Sequence, residues 1–327
     1  MTRETVRGTD VKPVTLQDGD AVPDALAGTY VAIGNFDGLH LGHQYLIGQM
    51  QKRAAAAGKP ASVLTFEPHP RQFFQPQVPF FRLTPVSAKC KILARIGLDG
   101  LFVRAFNAEL AATTAEQFIA LLHEKLHIGG VVVGHDFHFG RNREGTPERL
   151  EQLCRERGID YAVIDAFTDH GHIVSSSLVR EALENGDVSR ANSLLGYRWF
   201  ISGTVVHGAK RGRELGFPTA NIELDSGCRL RHGVYSVRAA LPDGTVLGGV
   251  ASFGRRPMFD NGAALLEVNL FDFEGDLYDK VLDVEIIDWI REEKRFAGID
   301  ELVAAIREDA ETARLHVSRS DIRSIIS

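Results

Sequence analysis

The chain has 327 residues, 44% hydrophobic and 24% charged, with 37 Lys and Arg against 43 Asp and Glu. A net charge of −6 gives no electrostatic reason to expect nucleic acid or an anionic membrane as partner. Cys90, Cys154 and Cys228 are odd in number and scattered, which excludes a disulfide framework and a Cys-x-x-Cys knuckle, and the start carries no apolar leader-like run. The expectation is a cytoplasmic protein of about two domains, its self-association left open.

Tyr30–Ile33 is a short apolar run with the length of a buried strand. Leu46, Ile47, Met50 and Ala54 then recur at helical spacing until Gly58. Between them lies Gly34-Asn35-Phe36-Asp37-Gly38-Leu39-His40-Leu41-Gly42-His43. Strand, glycine-rich turn and helix together aim backbone N–H groups and a positive helix end at phosphate. A helix end is worth about 0.3–1 kcal/mol per charge, whereas an enzyme must remove at least about 8 kcal/mol from its barrier. The turn can hold a phosphate, but the chemistry needs more. His40 and His43, one helical turn apart, are the candidates to donate to a transferring phosphoryl group.

The His-x-Gly-His core resembles the signature of the nucleotidylyltransferase superfamily. The fuller string Ile33–His43 resembles the bifunctional riboflavin kinase/FMN adenylyltransferase (FAD synthetase) family. That resemblance implies nucleotide contacts by Gly34, Phe36, Asp37 and Gly38, with His40 and His43 catalytic.

Residues 29 to about 185 alternate strand and helix patterns, so a parallel sheet with covering helices is expected. The strand pattern Ala61–Phe66 runs into Glu67-Pro68-His69-Pro70, where two prolines end it. The string resembles a family stretch that holds flavin, which points to Phe66, His69 and Pro70. Phe73, Phe74, Phe80 and Phe81 read either as a wall for the flavin ring or as core. Val86–Leu98 and Ala115–Leu126 read as helices, the latter opened by a Thr113-x-x-Glu116 capping box. It ends in a literal His-Glu-x-x-His, His123 to His127, but directly before Ile128-Gly129-Gly130. A zinc helix needs both histidines on a firm mid-helix face, so a helix end is the better reading.

Val131–Val133 is the next buried strand, leading into Gly134-His135-Asp136-Phe137-His138-Phe139-Gly140. This resembles a family segment whose polar residue, here Asp136, contacts substrate. Thr146-Pro147 starts a helix as N-cap and first residue. Val174-Ser175-Ser176-Ser177-Leu178-Val179-Arg180 offers hydroxyls, helix-end N–H groups and a guanidinium to phosphate. It resembles the family's Ile-Ser-Ser-Thr-x-Ile-Arg element, which adds Ser176 and Ser177 as nucleotide contacts and Arg180 as catalytic.

Asn185-Gly186-Asp187 closes that helix, and Val188–Leu195 forms a connecting helix ended by Gly196. Beyond it strand patterns dominate: Trp199–Val206, Gly233–Leu241, Val246–Ser252, Leu265–Phe271 and Val281–Ile287. Short strands with regular turns suggest a small antiparallel barrel, covered by an amphipathic helix from about Asp300 to Leu315. The basic loop His207–Asn221 lacks the common NTPase phosphate loop. Its Gly216-Phe217-Pro218-Thr219-Ala220-Asn221 resembles the riboflavin kinase motif, which implies nucleotide contacts by Gly208, Lys210, Gly216 and Pro218 and Mg²⁺ contacts by Thr219 and Asn221. Glu267 in Leu265–Leu270 faces opposite to Leu266 and Val268. The segment resembles the family's Leu-Glu-Val-His-Leu, in which this glutamate is the base, with Asn269 in place of the histidine.

The expected architecture is a Rossmann-like nucleotidylyltransferase domain at 1–186, a riboflavin kinase barrel with its helix at 187–316, and a tail at 317–327. The resemblance implies Mg²⁺-assisted conversion of riboflavin and ATP to FMN, then of FMN and ATP to FAD. A flavin-binding protein that has lost turnover is the rival reading.

Overall fold

The computed structural model describes residues 12–169, 171–208, 216–255, 264–319 and 322–326. The first of two compact units runs to Val174, except that Phe80–Leu83 belong with Ser175 onward in the second.

The first unit contains β1 (Val14–Leu16), β2 (Tyr30–Ile33), α1 (Leu41–Ala56), β3 (Ala61–Glu67), α2 (Pro70–Phe74), α3 (Val86–Ile96) and β4 (Gly100–Ala105). It continues with α4 (Ala108–Ala112), α5 (Ala115–Ala120), β5 (Gly130–Gly134), α6 (Pro147–Glu156), β6 (Asp160–Ile164) and the small pair β7 (Thr168–Asp169) and β8 (His172–Ile173). Six strands form one sheet in the order β1-β4-β3-β2-β5-β6, and every neighbouring pair is parallel. The order reverses between β2 and β5, and a ligand crevice in such a sheet opens at the strand C-termini where the order reverses. The segments that follow β2 and β5 are Gly34–His43 and the run from Gly134 to Asp136. β2 and most of β3 are buried, as a sheet covered on both faces requires. Leu64, Val131, Val133, Phe118 and Leu122 fill one face.

Several helix ends follow local chemistry. Thr146 caps α6 by accepting from the Arg149 N–H, with Pro147 first in the helix. α5 begins at Ala115 as expected, but its cap lies one residue further on. Thr114, not Thr113, forms the reciprocal box with Gln117. Thr113 instead ends α4, its hydroxyl donating to the Glu109 carbonyl.

The second unit contains α7 (Ser176–Glu184), α8 (Val188–Leu195), β9 (Phe200–Val206), β10 (Ala220–Glu223), β11 (Gly233–Ala240), β12 (Val246–Arg255), β13 (Ala264–Leu270), β14 (Val281–Arg291) and α9 (Ile299–Arg319). The strands close into an antiparallel barrel in the order β10-β13-β12-β11-β14-β9. β13 alternates buried and half-buried residues throughout, so Leu266 and Val268 fill the interior while Glu267 and Asn269 face outward. α9 closes over the barrel through a bidentate Arg291–Asp309 pair and a Ser236–His316 hydrogen bond. No helix among the described residues is long and apolar enough to cross a membrane.

Candidate active sites

The turn after β2 is held in an uncommon shape. Phe36 and Leu39 have φ of 47° and 41°, a region that non-glycine residues rarely enter unless their surroundings fix them. Both side chains are fully buried. The Gly34 N–H donates to the Leu64 carbonyl at 3.1 Å, which ties the turn to β3. Asp37, 2% exposed, accepts the Thr84 N–H at 2.9 Å, while the Gly38 N–H donates to the Thr84 hydroxyl at 2.8 Å. Phe36 and Asp37 thus place their side chains in the support of the turn.

The two histidines come together. His40 is the N-cap of α1, and its Nδ1 accepts the His43 N–H at 3.4 Å. Their rings stack with centroids 3.7 Å apart, and the Phe36 ring stands edge-on to His43 at 5.2 Å. Gly42 makes room for this: a Cβ there would lie 3.1 Å from two atoms of the His40 ring and 3.3 Å from the Val174 carbonyl. Burial holds the His43 pKa well below the usual histidine range, and the charges of His40 and Lys89 add to the effect. His43 is therefore a neutral imidazole, a hydrogen-bond donor or acceptor according to its tautomer.

Phe66, at the end of β3, packs edge-on against Phe106, and Phe73 and Phe74 complete the aromatic group. Phe74 is 65% exposed, so the cluster has an open side. Phe80 and Phe81 are core residues of the second unit, Phe81 edge-on to Trp199. His69 is the N-cap of α2, its Nδ1 accepting the Arg71 N–H at 3.1 Å, and Pro70 opens that helix. Asp136 is exposed just beyond Gly134, where a Cβ would come within 3.1 Å of its carboxylate. The supporting roles of Thr84, Phe106 and Lys89 carry no motif in the sequence.

In the second unit, Ser175 caps α7 by accepting the Leu178 N–H, which puts Ser176 and Ser177 in its first turn. Arg180 donates from Nε to the Phe81 carbonyl at 2.7 Å, and its guanidinium lies 4.6 Å over the Phe80 ring. The side chain is thereby aimed by its neighbours.

Asn221 on β10 stands directly opposite Glu267 on β13, and Glu267 stands opposite Ser252 on β12. Three strands therefore present one polar row on the outer face of the barrel. Gly208 packs against the row, since a Cβ there would lie 2.3 Å from the Asn221 amide nitrogen. Asn269 donates to the Pro218 carbonyl at 2.8 Å, which ties the segment before β10 to β13. Gly216 takes the left-handed φ of 84° that this segment needs. A cavity of about 240 Å³ adjoins Thr219 and Pro218, and its far wall is the turn from Phe273 to Tyr278. That turn reads in sequence only as a connector. Lys210 lies outside the described residues.

The His123–His127 string takes a different form from a zinc helix. The helix widens at Leu121–Lys125 into a turn whose Leu126 N–H reaches back five residues to the Leu121 carbonyl, and His127 has φ of 51°. The two histidines therefore do not share a regular helical face.

The fold and these sites define the chain as a two-unit, nucleotide-using transferase of flavins: residues 22–178 match the FAD synthetase family and residues 195–317 the riboflavin kinase family. Named bifunctional riboflavin kinase/FMN adenylyltransferases are similar along nearly their whole length. The protein of Escherichia coli K12 is 40% identical over 288 residues, 88% of this chain and 92% of that one. The Haemophilus influenzae protein is 37% identical across 88% of this chain and 94% of its own, and that of Bacillus subtilis 37% across 89% and 93%. A solved structure described as a macrolide-efflux protein from Streptococcus pneumoniae superposes with a TM-score of 0.81 at 30% identity, covering 92% of this chain and 99% of that one. The chain belongs to the bifunctional riboflavin kinase/FMN adenylyltransferase family.

Proposed function

We infer that the chain makes both flavin coenzymes: it phosphorylates riboflavin with ATP to give FMN, then joins AMP from a second ATP to FMN, giving FAD and pyrophosphate. The second unit carries the first reaction. Glu267 takes the proton of the terminal ribityl hydroxyl as that oxygen attacks the γ-phosphorus and ADP leaves. The register pairing of Asn221 with Glu267 on one face of the barrel is the observation that carries this reading.

Thr219 and Asn221 offer oxygen donors, which suit Mg²⁺, and the missing Cβ at Gly208 leaves the Asn221 amide room to serve as one. They are the residues that would hold the cation. When bound with ATP, Mg²⁺ neutralises the charge developing on the phosphates.

In the second reaction a phosphate oxygen of FMN attacks the α-phosphorus directly, without a covalent enzyme intermediate. His40, His43 and Arg180 neutralise the charge that builds on the phosphates, and Phe66, His69, Pro70 and Asp136 hold the flavin. The cysteine pattern supports a cytoplasmic setting.

The test is Glu267→Ala, followed by chromatography of the flavins. FMN formation should fall by about 10²–10⁴-fold, while added FMN is still converted to FAD. Equal loss of both steps in a folded variant would refute the division of labour. A silent flavin-binding protein would instead consume no ATP when riboflavin is supplied.

A further inference from the structure

Lys89 is one of the few charged side chains buried in the first unit, at 2% exposed, although it lies on a helix whose neighbouring cation, Lys91, is half-exposed. Lysine is rarely buried without a compensating task. The task is visible. Its Nζ donates to the Asn35 carbonyl at 2.7 Å and to the Thr65 hydroxyl at 3.0 Å. Thr65, fully buried on β3, donates in turn to the same Asn35 carbonyl at 3.1 Å. Ammonium, hydroxyl and carbonyl close a triangle beneath the second residue of the turn.

The neighbouring residues explain why that carbonyl needs fixing. Asn35 directly precedes Phe36, whose left-handed φ is not a conformation the chain would hold unaided. Phe36 in turn presents its ring edge to His43. Any rotation of the peptide after Asn35 would therefore be transmitted to the imidazole. The titratable groups that bear on His43 are His40 on its own turn and Lys89 from α3; Asp37, in the same turn, is bonded to Thr84.

We propose that Lys89 is a positioning residue for adenylyl transfer, its buried ammonium fixing the peptide after Asn35 and so the place of Phe36 and His43. Lys89 touches neither flavin nor nucleotide in this role. It acts through the turn, so it sets how well the imidazoles meet the α-phosphate and leaves substrate affinity nearly unchanged. The inference rests on the reading that the Gly34–His43 turn is the adenylyl-transfer site.

The experiment uses the full chain and compares Lys89→Met, Thr65→Val and His43→Ala in both reactions. A misplacement near 1 Å costs about 10²-fold in rate, so Lys89→Met should lose about that much in kcat for FMN to FAD. KM for ATP and FMN should stay within about threefold, and riboflavin phosphorylation should be retained. Thr65→Val, which removes a corner of the triangle without touching the charge, should show the same split to a smaller degree. A second readout is the imidazole of His43 followed by NMR. Loss of the nearby ammonium should raise its pKa in Lys89→Met and not in Thr65→Val, which keeps the charge, whereas a merely loosened core would relieve burial and raise it in both.

Wild-type kcat in Lys89→Met would overturn the proposal, and so would a loss confined to KM. If Lys89→Met fails to fold and both reactions vanish, Thr65→Val decides: an unchanged kcat there overturns the proposal. If His43→Ala keeps full FAD formation, the reading of the site itself has failed. If His43→Ala loses activity while the Lys89 and Thr65 variants keep it, only the present inference falls.

Discussion

The second unit contains a fully buried ion pair whose loss has a calculable cost. Arg198 and Glu285 have side chains 4% and 0% exposed, joined at 3.3 Å. Glu285 also accepts the Ser324 hydroxyl at 2.7 Å and the Ile325 N–H at 2.9 Å, and the Arg198 N–H donates to the Arg323 carbonyl. Glu285 therefore gathers β14, the segment before β9 and the segment around Ile325 at one point. Removing one member of such a pair strands the other charge in a low dielectric and costs about 3–5 kcal/mol. That is a large share of the 5–15 kcal/mol that holds a typical domain together. For a unit of this size each kcal/mol moves the melting point by about 2–4 °C, so Glu285→Ala should melt about 10 °C lower. Thermal unfolding by circular dichroism measures this, with the half-life of kinase activity on warming as a second probe. Ser324→Ala removes a single hydrogen bond to the charge and should cost no more than about 1.5–3 kcal/mol. Replacing Arg198 and Glu285 together by Met and Leu should recover part of the loss, because the desolvation cost of both charges disappears while the Ser324 hydroxyl and the Ile325 N–H lose their acceptor. The reasoning is refuted if Glu285→Ala melts within about 2 °C of the parent, or if the double variant is less stable than either single one.

Gly208→Ala puts a methyl group 2.3 Å from the Asn221 amide. Kinase kcat/KM should drop by about 10²-fold with FAD formation from FMN unchanged, as read by chromatography of the two products. Gly42→Ala presses less closely on the His40 ring, at 3.1 Å. It should slow FAD formation by about 10-fold, given the 1–3 kcal/mol typical of overpacking, and spare the kinase. Because the folded state lowers the His43 pKa, the unfolded state binds the extra proton below pH about 6.5, and stability must fall as pH drops through that value. Urea titrations at several pH values should show this slope, and His43→Gln should flatten it. Burial pushes the Cys154 thiol up to about 12, and Cys228 is also buried, so Cys90 should react first with a thiol reagent at pH 8.

Much of the architecture was legible because its signals are local. Thr146-Pro147 at α6, Asp187 and Gly196 around α8, and the apolar alternation of β13 need only near neighbours to declare themselves. β10 was not legible. Its first two residues close a motif that reads as a loop, and only pairing with β9 and β13 makes the four a strand. α5 could be capped by either of two adjacent threonines, and the choice fell to the one not needed to end α4. Lys89 lies on a helix where a cation ordinarily marks the solvated face, so its burial depends on partners 24 and 54 residues away. Thr84, which holds Asp37 and Gly38 from 47 and 46 residues away, is silent in sequence for the same reason. Motifs name the groups that meet the ligand, whereas the groups that hold them in place are found only through tertiary contact.

The glycines of the two motifs separate into two physical kinds, and this bears on how each site is built. Gly38 and Gly216 are glycine for torsion, with φ of 87° and 84°, and a Cβ at Gly216 would meet nothing within 4 Å. Gly42 and Gly208 lie outside the left-handed region and are glycine for space, each yielding its Cβ volume to a polar side chain, His40 in one unit and Asn221 in the other. A torsional glycine is partly replaceable by asparagine, which tolerates positive φ, whereas a spacing glycine takes a side chain only by displacing the polar group packed against it. In both units the polar side chain to which we assign a part in the reaction is therefore packed against bare backbone, which leaves it little rotamer freedom to lose when substrate arrives. Under that assignment, low entropy on binding and tight aim at the reacting phosphorus have one structural source.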